Sequence, residues 1–249
     1  MSMSRFGFLV LPLFAATAAT ANACATASPA EPDANGRSDA RLDSSTTDAR
    51  IDAAMLDASV DAAPLDRTLK QTTLDTVTAD NSSACGTTTG TAENSYYRAY
   101  KLSDDGITNA FNITKVTFGI ENATAGMGAA AQAAQVKLYS YSGALGGTTL
   151  NTAQLTPINA LNIMIDNAAA PTTKDVDITG VVPAGGTLVV EIALPNGQAV
   201  GNSFYIGSNA GGETKPGYLR APACTYTSPV TLPSIGLSTM HLVINVTGR

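Results

Sequence analysis

Tryptophan is absent from this chain, and histidine occurs once, at position 241. One imidazole, with two of the three cysteines read as a disulfide, cannot build a zinc centre, which needs several nitrogen or sulfur ligands. It also leaves His241 as the only base for any Ser-His-Asp arrangement. His241 lies in a strand pattern, on the face opposite Met240, Leu242 and Ile244, which is the place of an interfacial strand histidine. Charge is scarce as well: charged residues are 14% of the 249 and the formal net charge is −6. A chain with that balance has no basic surface to offer a phosphate backbone, so nucleic acid is excluded as a partner. Long amphipathic helical patterns are missing, and the apolar run from Phe6 to Ala19 is too short to cross a bilayer.

That run has the form of an export signal. Arg5 precedes it, and Ala21-Asn22-Ala23 supplies small residues for cleavage. Cys24 follows at once, so residues 1–23 read as a signal peptide that resembles a bacterial lipoprotein leader. The resemblance implies acylation of Cys24, although Ala21 stands where such leaders prefer leucine. Ordinary cleavage at the same place would release a secreted protein. Cysteine parity bears on the choice, because Cys24, Cys85 and Cys224 are an odd number. A lipid on Cys24 leaves Cys85 and Cys224 to form a disulfide, which would persist in an oxidising compartment.

Residues 24–70 read as an acidic linker. From Ala25 to Leu69 there are nine acidic and four basic residues. Units beginning at Asp39, Asp48 and Asp57 repeat, each with one central aliphatic residue, Leu42, Ile51 or Val60. So little apolar surface cannot offset chain entropy, and the expectation is a disordered spacer.

From Gln71 the pattern changes to short alternating runs. The expected strands are 72–78, 95–102, 111–120, 135–141, 149–155, 161–166, 174–179, 188–194, 203–207 and 240–247. Turn signals such as Asp104-Asp105-Gly106 and Pro183-Ala184-Gly185-Gly186 separate them. Ala123 to Ala134 reads as a short helix or a long loop. Residues 188–194 and 203–206, joined through Asn196-Gly197, read as a hairpin. The expected fold is all-β: a single antiparallel, jelly-roll-like sandwich spanning residues 71–249, monomeric and able to fold without a partner. The Gly-rich stretch from Gly207 to Gly217 is not a phosphate loop, since Glu213 stands where the lysine belongs and Pro216 blocks the following helix.

Several blocks carry a further resemblance: NSYYRAYKL from Asn94, FNITKVTFGIENA from Phe111, VPAGGTLVVEIALPNG from Val182, FYIGSNAGGETKPGYLRAPAC from Phe204 and MHLVINVTG from Met240. Together they resemble a β-sandwich accessory module found near the ends of large secreted bacterial proteins, which implies a non-catalytic role.

Two constellations remain as candidate sites. Asp104 and Asp105 share a turn, and Asp175 and Asp177 share a strand face, so all four are candidate ligands of a structural Ca²⁺. Tyr96 with Tyr100, and Tyr139 with Tyr141, are candidate ring platforms for a sugar. The expectation is a cell-surface or outer-membrane lipoprotein, or else a secreted protein. Its folded domain binds a glycan or a surface protein, and the membrane is met only through the lipid. A structural envelope protein without a ligand is the alternative. A hydrolase would require Glu93, Glu191 or Asp175 to approach a second carboxylate in a pocket.

Overall fold

The computed structural model describes residues 65–249. The signal peptide, Cys24 and most of the acidic linker lie outside the described residues. In chain order the strands are β1 (Arg67–Leu69), β2 (Gly86–Thr87), β3 (Gly90–Thr91), β4 (Asn94–Lys101), β5 (Phe111–Thr124), β6 (Ala131–Tyr141), β7 (Leu155–Asp166) and β8 (Thr172–Val182). They continue with β9 (Thr187–Leu194), β10 (Ser203–Ile206), β11 (Ser208–Asn209), β12 (Tyr218–Ala221), β13 (Tyr226–Thr231), β14 (His241–Leu242) and β15 (Ile244–Gly248). Short 3-10 turns are the only helical elements among the described residues.

Two antiparallel sheets form the sandwich. One has the order β13-β12-β4-β9-β6-β7. The other is built around β5, which pairs with β8 along one edge and with β15 and then β10 along the other. Alternation explains the packing. Val116, Phe118 and Ile120 of β5, Ile244 and Val246 of β15, and Val136 and Leu138 of β6 all face inward and are buried. They meet Leu188, Val190 and Ile192 of β9 in one continuous core. Where β15 gives way to β10, Gly119 and Gly207 cross so closely that a Cβ on Gly207 would lie 2.5 Å from the Gly119 backbone. Only glycine fits both chains at that crossing.

Four expectations change. Residues 188–194 and 203–206 are not a hairpin: β9 and β10 belong to different sheets, and the Asn196-Gly197 segment carries the chain between them. Residues 123–134 are neither helix nor long loop, because β5 runs on to Thr124 and β6 begins at Ala131. Residues 72–78 and 149–155 make isolated bridges instead of the expected strands, Thr72 to Glu213 and Thr149 to Val230, although β7 does begin at Leu155. The folded unit also starts before Gln71, since β1 pairs with β15.

The disulfide joins Cys85 to Cys224 across a sequence separation of 139, with Cα atoms 5.9 Å apart. By the chain-entropy relation, a loop of that length contributes about 5 kcal/mol. Cys85 is fully buried, and its backbone is held by the side chain of Asn94 through paired bonds of 2.9 Å.

Candidate functional site

A cleft of about 720 Å³ opens where β5 and β10 emerge from the core. Its base is made by Glu121, Asn122, Ser203 and Tyr205, and its walls by residues 80–83, 87–90 and 236–240. A β-bulge produces the base. Tyr205 pairs with Asn122 but Ile206 pairs with Ile120, so Glu121 is the extra residue. The bulge breaks the in-out alternation and turns both Glu121 and Asn122 toward the cleft, between the buried Ile120 and Ala123. On β10, Phe204 and Ile206 point into the core and leave Ser203 and Tyr205 half-exposed on the cleft side.

The walls are pinned by hydrogen bonds. Asn81 donates through Nδ2 to Ser208 Oγ at 2.8 Å and to the Thr239 carbonyl at 3.0 Å. Ser82 Oγ donates to the Ile206 carbonyl. The Asn81 backbone N–H donates to Glu121 Oε2 at 3.0 Å. The second wall is the β2–β3 hairpin tip, fixed by Gln198 Nε2 donating to Thr87 Oγ1 at 3.1 Å and Thr91 N–H donating to the Asn202 carbonyl at 2.9 Å. Cys85 sits between the two walls in sequence, so the disulfide anchors both.

Burial holds the Glu121 carboxyl above its ordinary pKa. Bonds from the Asn81 and Ser82 backbone N–H groups oppose that rise, and the nearby charge of Asp80 adds to it. A carboxyl whose ionised form is under-stabilised, at the base of a cleft, is a common mark of a ligand site.

A second, shallower groove of about 660 Å³ lies on the outer face of the six-stranded sheet and holds both Glu93 and Glu191. Each is already matched. Arg220 pairs with Glu93, while Lys137 lies 3.4 Å from Glu191 and Tyr139 donates to it at 2.8 Å. The Glu93 partnership raises the Arg220 pKa further. Two carboxylates therefore share a groove, as a hydrolase would need, but each faces a cation.

The candidate tyrosines separate into two environments. Tyr96 and Tyr100 are fully buried in the main core, so neither ring can stack on a sugar, which corrects the expectation for that pair. Their hydroxyls donate to the carbonyls of Ser83 and Ile244, and desolvation pushes both phenols above their ordinary pKa. Tyr139 and Tyr141 do share the outer face, but residues 142–154 pass over that face. Leu145, Leu150 and Leu155 pack there with Tyr97, Tyr218 and Val189, and the loop reaches β13 through Thr149.

The four aspartates are not brought together. Asp104 pairs with Lys215 at 3.5 Å. Burial and the neighbouring Asp104 raise the Asp105 pKa, against the pull of Arg67. The like charges of Asp175 and Asp177 are met from the next strand: Lys115 stands opposite Asp177 and reaches Asp175 at 3.1 Å, and Thr117 Oγ1 donates to Asp175 at 2.6 Å. Those hydrogen bonds hold the Asp175 pKa below the usual carboxylate range. Among the described residues, no three histidine, cysteine, aspartate or glutamate side chains converge as a metal site. His241 accepts from Gly212 N–H through Nδ1 at 3.0 Å and has Nε2 3.1 Å from the Ser238 carbonyl, so it pins a loop. No family model, curated protein or solved structure matches the chain.

Proposed function

We propose that this protein is an exported, non-catalytic binding module that takes a glycan in the cleft at Glu121. Cys24 carries it at the cell surface as a lipoprotein. The disulfide between Cys85 and Cys224 fits an oxidising, extracytoplasmic compartment. The observation that carries the binding reading is the chemistry of the cleft: hydroxyls, amides and carboxylates surround the one half-exposed ring, Tyr205, in a volume within the roughly 300–1,000 Å³ of small-molecule sites. Sugars need that mixture, polar groups for their hydroxyls and one flat apolar face for a ring. The resemblance to accessory modules of secreted bacterial proteins agrees with a role in binding without catalysis.

The test is a thermal-shift screen of the exported chain against a polysaccharide panel, with Ca²⁺ or EDTA in parallel. A glycan at a hundredfold excess over its Kd stabilises the native state by about 2.7 kcal/mol. Such a shift, lost in Tyr205→Ala, supports the reading. No shift with any glycan leaves the structural envelope protein in its place. Anchoring has its own test, since a mature N-terminal peptide without acyl mass on Cys24 removes the lipid.

A further inference from the structure

We infer that the cleft selects a positively charged, polyhydroxylated ligand, an oligosaccharide of glucosamine type whose amino groups are free. The inference rests on the reading of the cleft as a glycan site and adds the charge of the ligand. Asp80 and Glu121 line the cleft, and no lysine, arginine or histidine does. Elsewhere Asp75, Glu93, Asp104, Asp166, Asp175, Glu191 and Glu213 each lie within 4.0 Å of a lysine or arginine nitrogen, while Asp66, Asp105 and Asp177 do not. Asp80 and Glu121 have no such partner among the described residues, yet they are close enough for the charge of one to raise the pKa of the other. What sets these two apart is their place: both line one cleft whose lining holds no cation, so a cation there must come from outside.

The remaining lining fits the rest of such a ligand. The side chains of Asn122, Ser203 and Tyr205 have no hydrogen-bonding partner among the described residues, so they are available to ring hydroxyls. At roughly 30 Å³ per water-sized group, the cleft has room for about two linked sugar rings. A protonated amine between Asp80 and Glu121 forms charge-assisted bonds, stronger than those a neutral acetamide makes. A uronate would instead meet two like charges, a direct means of rejection.

The experiment is calorimetric titration of the full exported chain with four probes: glucosamine oligomers, their N-acetylated counterparts, oligouronates and CaCl₂. Glucosamine oligomers are expected to bind at least tenfold tighter than the acetylated ones. The double variant D80N/E121Q is expected to lose that tenfold preference, binding both oligomers with similar affinity. Equal wild-type affinity for both oligomers overturns the charge inference and leaves the glycan reading standing, whereas binding of neither removes both. Tighter binding of uronates, or Ca²⁺ binding that vanishes in the double variant, also overturns the inference. Should the double variant lose its cooperative melt, the wild-type salt response decides: an affinity for the amine-bearing oligomer that does not fall as ionic strength rises overturns the inference.

Discussion

Arg98 lies on the inward face of β4 between Tyr96 and Tyr100, with no solvent exposure. Its guanidinium donates to the Leu242 carbonyl through Nε at 3.2 Å and Nη2 at 2.7 Å, and through Nη1 to the Lys215 carbonyl at 2.5 Å and to Gln71 Oε1 at 3.4 Å. Glu213 Oε2 completes the set, 2.8 Å from Nη1 and with its side chain only 10% exposed. At an effective dielectric of 20, that separation is worth about 6 kcal/mol of attraction, most of it offset by desolvation of the two ions. Arg98→Met therefore does more than delete the pair, because it leaves Glu213 charged, buried and without its cation. The expected loss is about 3–5 kcal/mol. Glu213→Gln leaves the cation among three carbonyl-type acceptors, and its expected loss is about 1–2 kcal/mol. The double variant Arg98→Met/Glu213→Gln is expected to be more stable than Arg98→Met alone, since the orphaned charge is gone. Urea unfolding of the four proteins at pH 7 measures the cycle. A loss under 1 kcal/mol in Arg98→Met, or additive losses in the double variant, would refute the reasoning.

Reducing the disulfide, or replacing it in C85S/C224S, is expected to lower stability by up to about 5 kcal/mol and to weaken ligand binding, because Cys85 anchors both cleft walls; urea midpoints and titration with and without reductant read the two effects. Glu121→Gln is expected to raise the melting temperature slightly at pH 7, while weakening binding of glucosamine oligomers. The sign follows from its raised pKa: the folded state holds the Glu121 proton more tightly than the unfolded chain, so stability falls as pH rises through the folded value, and a neutral amide escapes that loss. Asp175 behaves oppositely. Its lowered pKa contributes stability above the unfolded value near 3.9, lost as pH falls through the folded one, so Asp175→Asn is expected to be less stable at pH 7 and to match wild type at strongly acidic pH. Tyr100→Phe removes the buried bond to the Ile244 carbonyl and is expected to cost about 1 kcal/mol by denaturant unfolding.

The strands legible in the sequence were those whose two faces differ. Phe118 and Ile120, Leu188 to Leu194, and Ile244 to Val246 alternate cleanly and sit where alternation places them. β12 and β13 were hidden for a physical reason. Tyr218, Leu219 and Ala221 are all buried and Arg220 alone breaks the run, so four residues are too few to show an alternation, and β13 carries Pro229 and two exposed residues. The apparent hairpin at Asn196-Gly197 misled because a turn dipeptide reports the local reversal and not which sheet receives the next strand. The buried tyrosines misled differently, since a shared strand face is visible in sequence but which side of the sheet it occupies is not. Arg98 made that side harder to see, as a cation two residues from each tyrosine reads as an outer face. A signal for the cleft was present: apolar parity runs through Phe118 and Ile120 and then shifts to Ala123, a one-residue slip that marks a bulge with Glu121 in it.

That bulge also explains why the cleft is built from segments so far apart in sequence. A strand of 14 residues that pairs along its whole length presents a closed ladder, and a carboxylate on it would face bulk water. Slipping the register at Glu121 opens the ladder where β10 replaces β15, and the chain must fill the step with neighbouring loops. Residues 80–83 do so through Asn81 and Ser82, which bond to Ser208 and Ile206 beyond the slip. Those loops are short of apolar anchors, so the disulfide and Asn94 hold them from behind. A wall fixed before the ligand arrives loses little entropy on binding. Cys85 is itself part of the main core, so the staple ties the two walls that flank it in sequence to the most firmly packed part of the domain.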